Sequence, residues 1–169
     1  MVKKLKIISQ STKETKDLAT NLVKLLAFKT NNKRATIIGL EGGLGGGKTT
    51  FVQGLAKGLS VKGKILSPTF IIMRNFSIKD KGSFKRFYHF DAYRICAPKE
   101  INNLGFQEII SNPDNIVVIE WANIIKKLMP QNSLWVNFQF KNSHSRIITI
   151  SLPPTSIFRD VYGRLKVIK

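Results

Sequence analysis

A glycine-rich loop that ends in lysine and threonine is the feature that most constrains the fold of this chain. Residues 42–49 read GGLGGGKT, which fits the pattern G-x-x-x-x-G-K-[ST]. The uncharged run Ala35–Leu40 precedes the loop and is typical of a strand buried on both faces. After the loop, Phe51, Leu55 and Leu59 recur at helical spacing. A strand, a glycine turn and a helix in this order predict a phosphate-binding loop within an α/β sheet.

The chemistry of this loop indicates a nucleoside triphosphate site. Glycines allow successive backbone N–H groups to face an anion, and the helix that follows adds the positive end of its dipole. A lysine here serves the β- and γ-phosphates, the next hydroxyl serves Mg²⁺, and the hydroxyl after that serves the α-phosphate. We therefore expect the nucleotide to contact Gly43, Leu44, Gly45, Gly46, Gly47, Lys48, Thr49 and Thr50.

Two acidic residues at the ends of apolar strands are candidates to complete the site. Glu120 follows the letters IVVI, and Asp91 ends the segment RFYHFD. The carboxyl ends of strands are where α/β sheets place their ligands. We predict Lys48, Asp91 and Glu120 as catalytic residues and Thr49 and Glu120 as metal ligands, the alternative being that Asp91 caps a turn and Glu120 starts a helix. No other His or Cys lies near His89 in a metal-ligand pattern, so we expect His89 to be packed or hydrogen-bonded.

The remaining pattern predicts one domain over residues 1–169, with 153–169 as a loosely attached tail. Ser11 and Glu14 match a helix capping box. The order of elements predicts an α/β sandwich of the P-loop NTPase class, with a mixed, mostly parallel sheet flanked by helices and added β-hairpins. Strands are expected at 5–9, 35–40, 65–70, 70–78, 84–93, 116–121, 134–140 and 146–152, and helices at 12–28, 48–58 or 48–63, 98–104 and 122–128.

Composition excludes several other classes of protein. No uncharged apolar run approaches the roughly 18 to 20 residues of a membrane helix, and the N-terminus lacks an apolar signal segment. Cys96 is the single cysteine, and we expect it to be a small buried residue of a cytoplasmic protein without membrane contact. The 28 Lys and Arg residues outnumber the 10 Asp and Glu residues, for a net charge of +18. This excess fits either a polyanionic partner or a codon bias toward lysine.

The sequence also narrows the kind of nucleoside triphosphatase. It lacks the Asn-Lys-x-Asp element that reads guanine, so ATP or ADP with Mg²⁺ is the expected cofactor set. A small-molecule P-loop kinase stays an alternative, although no arginine-rich lid is evident. An ATP-regulated RNA-binding protein is a third reading, because residues 84–88 (FKRFY) interleave cations with aromatic side chains.

Four separated motifs together resemble the bacterial TsaE (YjeE) family. They are EGGLGGGKTTFVQGLAKGL, Ser67–Phe70, His89–Arg94 and Ile119–Trp121, and the resemblance runs from about Ser11 to about Leu152. It implies a P-loop α/β sandwich that binds ATP and Mg²⁺ and hydrolyses ATP slowly. It also implies that the chain acts with the TsaD and TsaB proteins in threonylcarbamoyladenosine (t6A) modification of adenosine 37, in tRNAs that read codons beginning with A. Contact with tRNA would be indirect, through that complex.

The resemblance also implies roles for single residues. Glu120 matches the family's Mg²⁺-associated acid, Trp121 matches the tryptophan beside it, and Asp91 matches an acid important for turnover. Thr69 lies in a family loop that faces the nucleotide. Candidates for a partner contact or a switch are therefore Thr69, Trp121, Tyr93 and Arg94.

The glycine loop departs from the family pattern GDLGAGKT at two positions. Gly43 stands where the family has Asp, and Gly46 stands where it has Ala. Loss of the Asp charge is expected to leave ATP binding intact, while any role of that Asp toward metal, water or partner is in doubt here. The additional glycine is expected to make the loop more flexible without nucleotide.

Overall fold

The computed structural model describes residues 2–27, 33–79, 82–154 and 161–165. Residues 161–165 form a final helical turn. None of the helices in these ranges is long and apolar enough to span a membrane. The elements in chain order are β1 (Lys3–Ser9), α1 (Thr12–Ala27), β2 (Thr36–Gly42), α2 (Lys48–Gly58), β3 (Met73–Ser77), β4 (Arg86–Asp91), α3 (Pro98–Asn102), α4 (Phe106–Ser111), β5 (Asn115–Glu120), a 3₁₀ turn (Lys126–Leu128), β6 (Leu134–Phe140) and β7 (Arg146–Leu152).

The seven strands of the described ranges form one mixed sheet in the order β1-β7-β6-β2-β5-β4-β3. The four central strands β6, β2, β5 and β4 run parallel, while β1, β7 and β3 are joined to them by antiparallel pairs. The expected mixed α/β fold is confirmed, but parallel pairing accounts for three of the six pairs rather than for most of them. Two of the three antiparallel pairs, β3–β4 and β6–β7, are the predicted hairpins, and the third joins the edge strand β1 to β7.

Apolar side chains on the two faces of the sheet form two separate core clusters. One cluster lies beneath α1 and α2 and includes Phe51, Phe87 and Leu134, while the other lies beneath α3 and α4 and includes Phe90 and Phe106. Strand β5 is buried along its whole length because it has a layer of helices on each side. The final turn joins the first cluster through its buried residues, Val161 and Leu165.

Helix α1 packs closely against α2, and two glycines on α2 make this approach sterically feasible. A Cβ atom on Gly54 would lie 2.4 Å from the Lys16 carbonyl oxygen, and one on Gly58 would lie 2.4 Å from Cγ1 of Val23. The Thr20 hydroxyl also donates to the Gly54 carbonyl at 2.9 Å. The two helix backbones are therefore in direct contact.

The N-terminus of α1 shows only half of the predicted capping box. The Glu14 amide donates to Ser11 Oγ at 3.1 Å, as expected for the cap. The Glu14 carboxylate, however, accepts from the Gln10 amide at 2.7 Å rather than from the Ser11 amide. The carboxylate therefore satisfies a donor one residue earlier in the chain.

Several local predictions were wrong. Residues 65–70 form no strand, because Pro68 lies in a loop whose carbonyl accepts from both Ile71 and Ile72. Residues 122–128 make successive turns with a short 3₁₀ segment rather than a helix. Helix α4 was not predicted. Cys96 is exposed instead of buried, since it lies in the loop between β4 and α3. The end of the predicted helix at residue 28 and the turn residues 80–81 lie outside the described ranges.

Candidate functional site

The candidate site is a cleft at the carboxyl ends of β2, β4 and β5, where the parallel strands meet the start of α2. Its volume is about 330 Å³. The register of the sheet places Asp91 beside Glu120, the last residues of β4 and β5. The cleft is lined by Leu44, Gly45, Gly46, Gly47, Lys48, Thr49, Thr50, Ser67, Thr69, Asp91, Tyr93, Glu120 and Trp121.

Close packing and left-handed backbone geometry explain the glycines of the loop. Gly42 has φ 135°, and a Cβ atom there would lie 2.4 Å from the Phe138 carbonyl oxygen on β6. Gly47 caps α2 with φ 102° and ψ 9°, a conformation that costs little only for glycine. The chain can therefore turn sharply out of β2 and enter α2 at Lys48.

Lys48 is buried, and its ammonium has three close neighbours. Nζ donates to the carbonyls of Gly42 and Gly43, both at 2.8 Å, and lies 3.8 Å from the centroid of the Trp121 ring. Burial lowers the pKa of Lys48 below its usual 10.5, and the negative charges of Glu120 and Asp91 partly oppose this effect. In this arrangement the cation faces the cavity side of the loop, held by neutral acceptors that an anion could replace.

Thr49 and Glu120, the two predicted metal ligands, are in direct contact. The Thr49 hydroxyl donates to the Glu120 carboxylate, at 3.1 Å from Oε1 and 2.9 Å from Oε2. Glu120 is buried, and its Oε1 also lies 2.9 Å from Nε2 of His89. The predicted hydrogen-bonded state of His89 is confirmed, but its partner could not be identified from the sequence. The hydroxyl and carboxylate oxygens are hard donors of the kind that Mg²⁺ prefers.

Asp91 connects the end of β4 to the loop around Pro68. Its Oδ2 accepts from the Thr69 hydroxyl at 2.6 Å and also from the Ser67 hydroxyl, while Oδ1 accepts from the Tyr93 amide at 3.0 Å. The contact with the Tyr93 amide resembles a turn cap, but the two hydroxyls come from a segment more than 20 residues away in the chain. Sequence reasoning did not select Ser67 as a site residue, although hydroxyls on both sides of Pro68 were a visible signal.

Aromatic side chains form one wall of the cleft. Trp121 follows Glu120 with φ 57°, and this left-handed turn places its ring beside Lys48 and 5.0 Å from the ring of Tyr93. Arg94 does not line the cleft. Instead its guanidinium lies 4.3 Å from the centroid of the ring of Phe70, which follows Thr69 and also lies outside the cleft lining.

The structure thus gathers most of the predicted site residues in one cleft. Two of them lie outside its lining: Gly43, which contributes its carbonyl to Lys48, and Arg94. The two departures from the family loop pattern differ sterically. A Cβ atom on Gly43 would be 3.7 Å from the nearest atom, on Phe140, whereas one on Gly46 would be 2.9 Å from the Gly43 carbonyl oxygen.

Comparison with known proteins identifies the family. The family model described as "Threonylcarbamoyl adenosine biosynthesis protein TsaE" matches residues 9–148. A protein of Rickettsia typhi is 38% identical over 146 residues, which are 83% of this chain and 90% of that one. A Bacillus subtilis protein is 33% identical over 150 residues, 89% of this chain and 87% of that one. Both are named tRNA threonylcarbamoyladenosine biosynthesis protein TsaE.

A solved structure agrees with these sequence matches. The crystal structure of Bacillus subtilis YdiB superposes with a TM-score of 0.72 at 26% identity, over 98% of this chain and 96% of that one. The range that the family model matches, residues 9–148, contains the glycine loop, both strand-end acids and Trp121. The fold and most of the chain therefore agree with one family, as the motifs indicated. This chain belongs to the TsaE family.

Proposed function

We propose that this chain is a Mg²⁺-dependent ATP-binding and ATP-hydrolysing subunit for t6A modification of tRNAs that read codons beginning with A, acting with the TsaD and TsaB proteins. The observation that carries the proposal is the contact of Thr49 with Glu120 beside the buried Lys48, all around one glycine loop. The names of the matching family and relatives support the link to tRNA modification.

The glycine loop and Lys48 would hold the phosphates. Lys48 Nζ already faces two carbonyl acceptors at 2.8 Å, so binding exchanges neutral oxygens for charged phosphate oxygens. An ionised phosphate oxygen attracts the ammonium more strongly than a neutral carbonyl oxygen does, because it carries a net negative charge. The first turn of α2 adds backbone N–H donors and the positive end of the helix dipole. Both contributions favour binding of a triphosphate to the loop.

Thr49 and Glu120 would hold Mg²⁺ together with the phosphates. Within the described ranges, no group of three or more His, Cys, Asp and Glu side chains is placed to hold a metal ion. One carboxylate and one hydroxyl are nevertheless a fitting protein contribution, because Mg²⁺ usually takes its remaining ligands from substrate phosphates and water. When bound, the ion would neutralise charge that develops on the β- and γ-phosphates.

Slow turnover by the chain alone is consistent with the charges in the cleft. Among the residues that line it, Lys48 is the sole cationic side chain, and no arginine is present. Related nucleotide triphosphatases use an arginine, often from a partner, to stabilise the transition state. We assign two roles to Asp91: it orients the attacking water, and it holds the segment Ser67–Thr69 in place. We expect a partner to supply the missing cationic side chain.

The mouth of the cleft offers a surface for such a partner. Leu44 is 80% exposed, Phe70 82%, Ile71 55% and Tyr93 52%. Leu44 and Tyr93 line the cleft, and Phe70 and Ile71 follow Thr69 directly in the chain. Large apolar side chains grouped on a surface mark interaction sites. A partner that covers them would also enclose the nucleotide.

Reconstitution tests this proposal. We expect t6A formation by TsaD and TsaB on a suitable tRNA to require this chain and ATP, and association of the three proteins to be stronger with ATP than with ADP or without nucleotide. The Lys48→Ala variant serves as the matched inactive chain. Full t6A formation without the chain, or association indifferent to nucleotide, contradicts the proposal. Rapid phosphoryl transfer to a small metabolite favours the kinase instead, and tight tRNA binding by the chain alone favours the RNA-binding reading.

A further inference from the structure

His89 is fully buried and makes its polar contact with Glu120. It lies on β4, two residues before Asp91, and its side chain is completely shielded from solvent. Nε2 lies 2.9 Å from Oε1 of Glu120, whereas Nδ1 has no hydrogen-bond partner among the described residues. Burying a polar ring between strands whose other side chains, such as Phe87 and Val118, belong to an apolar cluster is costly unless its polar atoms are used.

The environment fixes which nitrogen of His89 carries the proton. A carboxylate only accepts hydrogen bonds, so a contact with Glu120 requires the proton on Nε2. Nδ1 then carries a lone pair, which has no hydrogen-bond partner among the described residues. The ring therefore donates one hydrogen bond, from Nε2 to Oε1 of Glu120.

Register makes the His89–Glu120 contact part of the sheet. His89 is paired with Val118 and Asp91 with Glu120, so the imidazole reaches diagonally across two neighbouring parallel strands. Glu120 receives its other hydrogen bonds from Thr49, whose hydroxyl is also the group that the glycine loop offers to Mg²⁺. Among the described residues, the His89 side chain makes no hydrogen bond other than the one to Glu120.

We propose that His89 is a positioning residue for Mg²⁺ binding. Its Nε2–H fixes the orientation of the Glu120 carboxylate, so that this ligand keeps its place when Thr49 engages the metal. The inference rests on the proposed role of Glu120. Outer hydrogen bonds of this kind typically change metal affinity by about 10–100-fold.

The test compares nucleotide binding with and without Mg²⁺. Calorimetric titration with a non-hydrolysable ATP analogue, in Mg²⁺ and in EDTA, gives the gain in affinity that Mg²⁺ provides. We expect His89→Leu to reduce this gain by about 10-fold or more while affinity in EDTA stays unchanged. His89→Gln should retain most of the gain, because its amide nitrogen can occupy a position close to that of Nε2. If the Leu variant does not fold, His89→Asn replaces it, since its amide is one methylene too short.

Two controls separate the possible failures. Phe87→Leu, on the same face of β4, should lower the thermal unfolding midpoint without altering the gain from Mg²⁺. Glu120→Gln should abolish the gain.

If Glu120→Gln abolishes the gain and His89→Leu or His89→Asn leaves it intact, the positioning role is overturned while the proposed function stands. Equal losses in Mg²⁺ and EDTA, or a Gln variant as impaired as Leu or Asn, also overturn it. An intact gain in Glu120→Gln overturns the proposed role of Glu120 itself.

Discussion

The Lys48 ammonium lies against the face of the Trp121 ring, 3.8 Å from its centroid. A cation over an indole ring is stabilised by the ring quadrupole by about 2 kcal/mol or more where water is excluded. The same ammonium donates to two loop carbonyls. These contacts offset the burial of a charge that a triphosphate would use.

Replacement of Lys48 by alanine should weaken nucleotide binding strongly. The substitution removes charge-assisted hydrogen bonds, each of which contributes about 1.5–3 kcal/mol, so a loss of at least 10-fold in affinity is expected. Calorimetric titration with ATP and a steady-state ATPase assay measure it. Lys57→Ala, an exposed lysine on the same helix, is the matched control and should bind normally. Unchanged binding and turnover in Lys48→Ala would exclude the glycine loop as the phosphate site.

Nucleotide affinity should begin to fall at a lower pH than it would if Lys48 had the usual lysine pKa of 10.5. Burial lowers the pKa of Lys48 in the folded, nucleotide-free protein below 10.5, so the free protein loses this charge before reaching that pH. The unfolded chain then holds more protons than the folded one between the lowered pKa and 10.5, and the Lys48 contribution to the free energy of unfolding rises with pH in that window. Affinity measured from neutral pH upward checks the binding effect. Lys48→Arg, which stays charged, should remove the pH dependence of whatever binding it retains.

Trp121 should report nucleotide binding by its fluorescence. Phosphate binding draws the Lys48 ammonium toward the ligand, which changes the environment of the adjacent indole. The chain has two tryptophans, Trp121 and Trp135, and the second lies outside the cleft lining. Trp135→Phe should keep the nucleotide-dependent change, and Trp121→Phe should lose it. A signal carried by Trp135 instead would contradict the proposed movement of Lys48.

Replacing Gly43 and Gly46 with the residues that the family has there, Asp and Ala, should have different effects on binding and stability. Gly43→Asp should be accommodated, because a Cβ atom there meets no atom closer than 3.7 Å. Gly46→Ala should weaken nucleotide binding or lower the unfolding midpoint, since its Cβ would lie 2.9 Å from the Gly43 carbonyl oxygen, a backbone atom. Titration and thermal unfolding of both variants check this. A Gly46→Ala variant that binds as tightly as the parent and unfolds at the same temperature would show that the loop shifts at little cost.

Glu120→Gln should fold but lose Mg²⁺-dependent hydrolysis. The amide keeps the size of the side chain and can still accept from Thr49, but it lacks the negative charge that Mg²⁺ requires. ATPase rates over a Mg²⁺ series measure the effect, with circular dichroism as the check on folding. If rate and Mg²⁺ response both persist, Asp91 becomes the leading metal-associated acid.

The sequence predicted the strands of the sheet better than the segments that connect them. Strand β2, the glycine loop and α2 were predictable because their residue types serve one local geometry, in which Lys48 begins a helix after a glycine turn. Strand β5 was predictable as an uninterrupted apolar run that ends in Glu120. Segment 65–70 was not predictable. Its apolar residues suggested a strand, but the segment is a loop whose Ser67 and Thr69 hydroxyls donate to Asp91.

Side-chain partners across the sheet were the part of the site that sequence could not provide. The pairing of His89 with Glu120 depends on which strands are neighbours and on their register, and neither is encoded locally. The same holds for Ser67, whose hydroxyl reaches Asp91 across the cleft. Trp121 was identified as a neighbour of the metal-associated acid, but its position on Lys48 follows from the left-handed backbone at φ 57°.

The backbone contact of α1 with α2 has a structural consequence. Because a Cβ atom at Gly54 would overlap the Lys16 carbonyl, the two helices can pack this closely only with glycine at that position. Helix α2 begins at Lys48, so the same helix that follows the glycine loop lies directly on α1. The buried hydrogen bond between Ser9 and Thr15, at 2.8 Å, then links α1 to the end of strand β1. The helix pair thus forms a continuous path of packed backbone and hydrogen bonds from the cleft to the edge strand of the sheet.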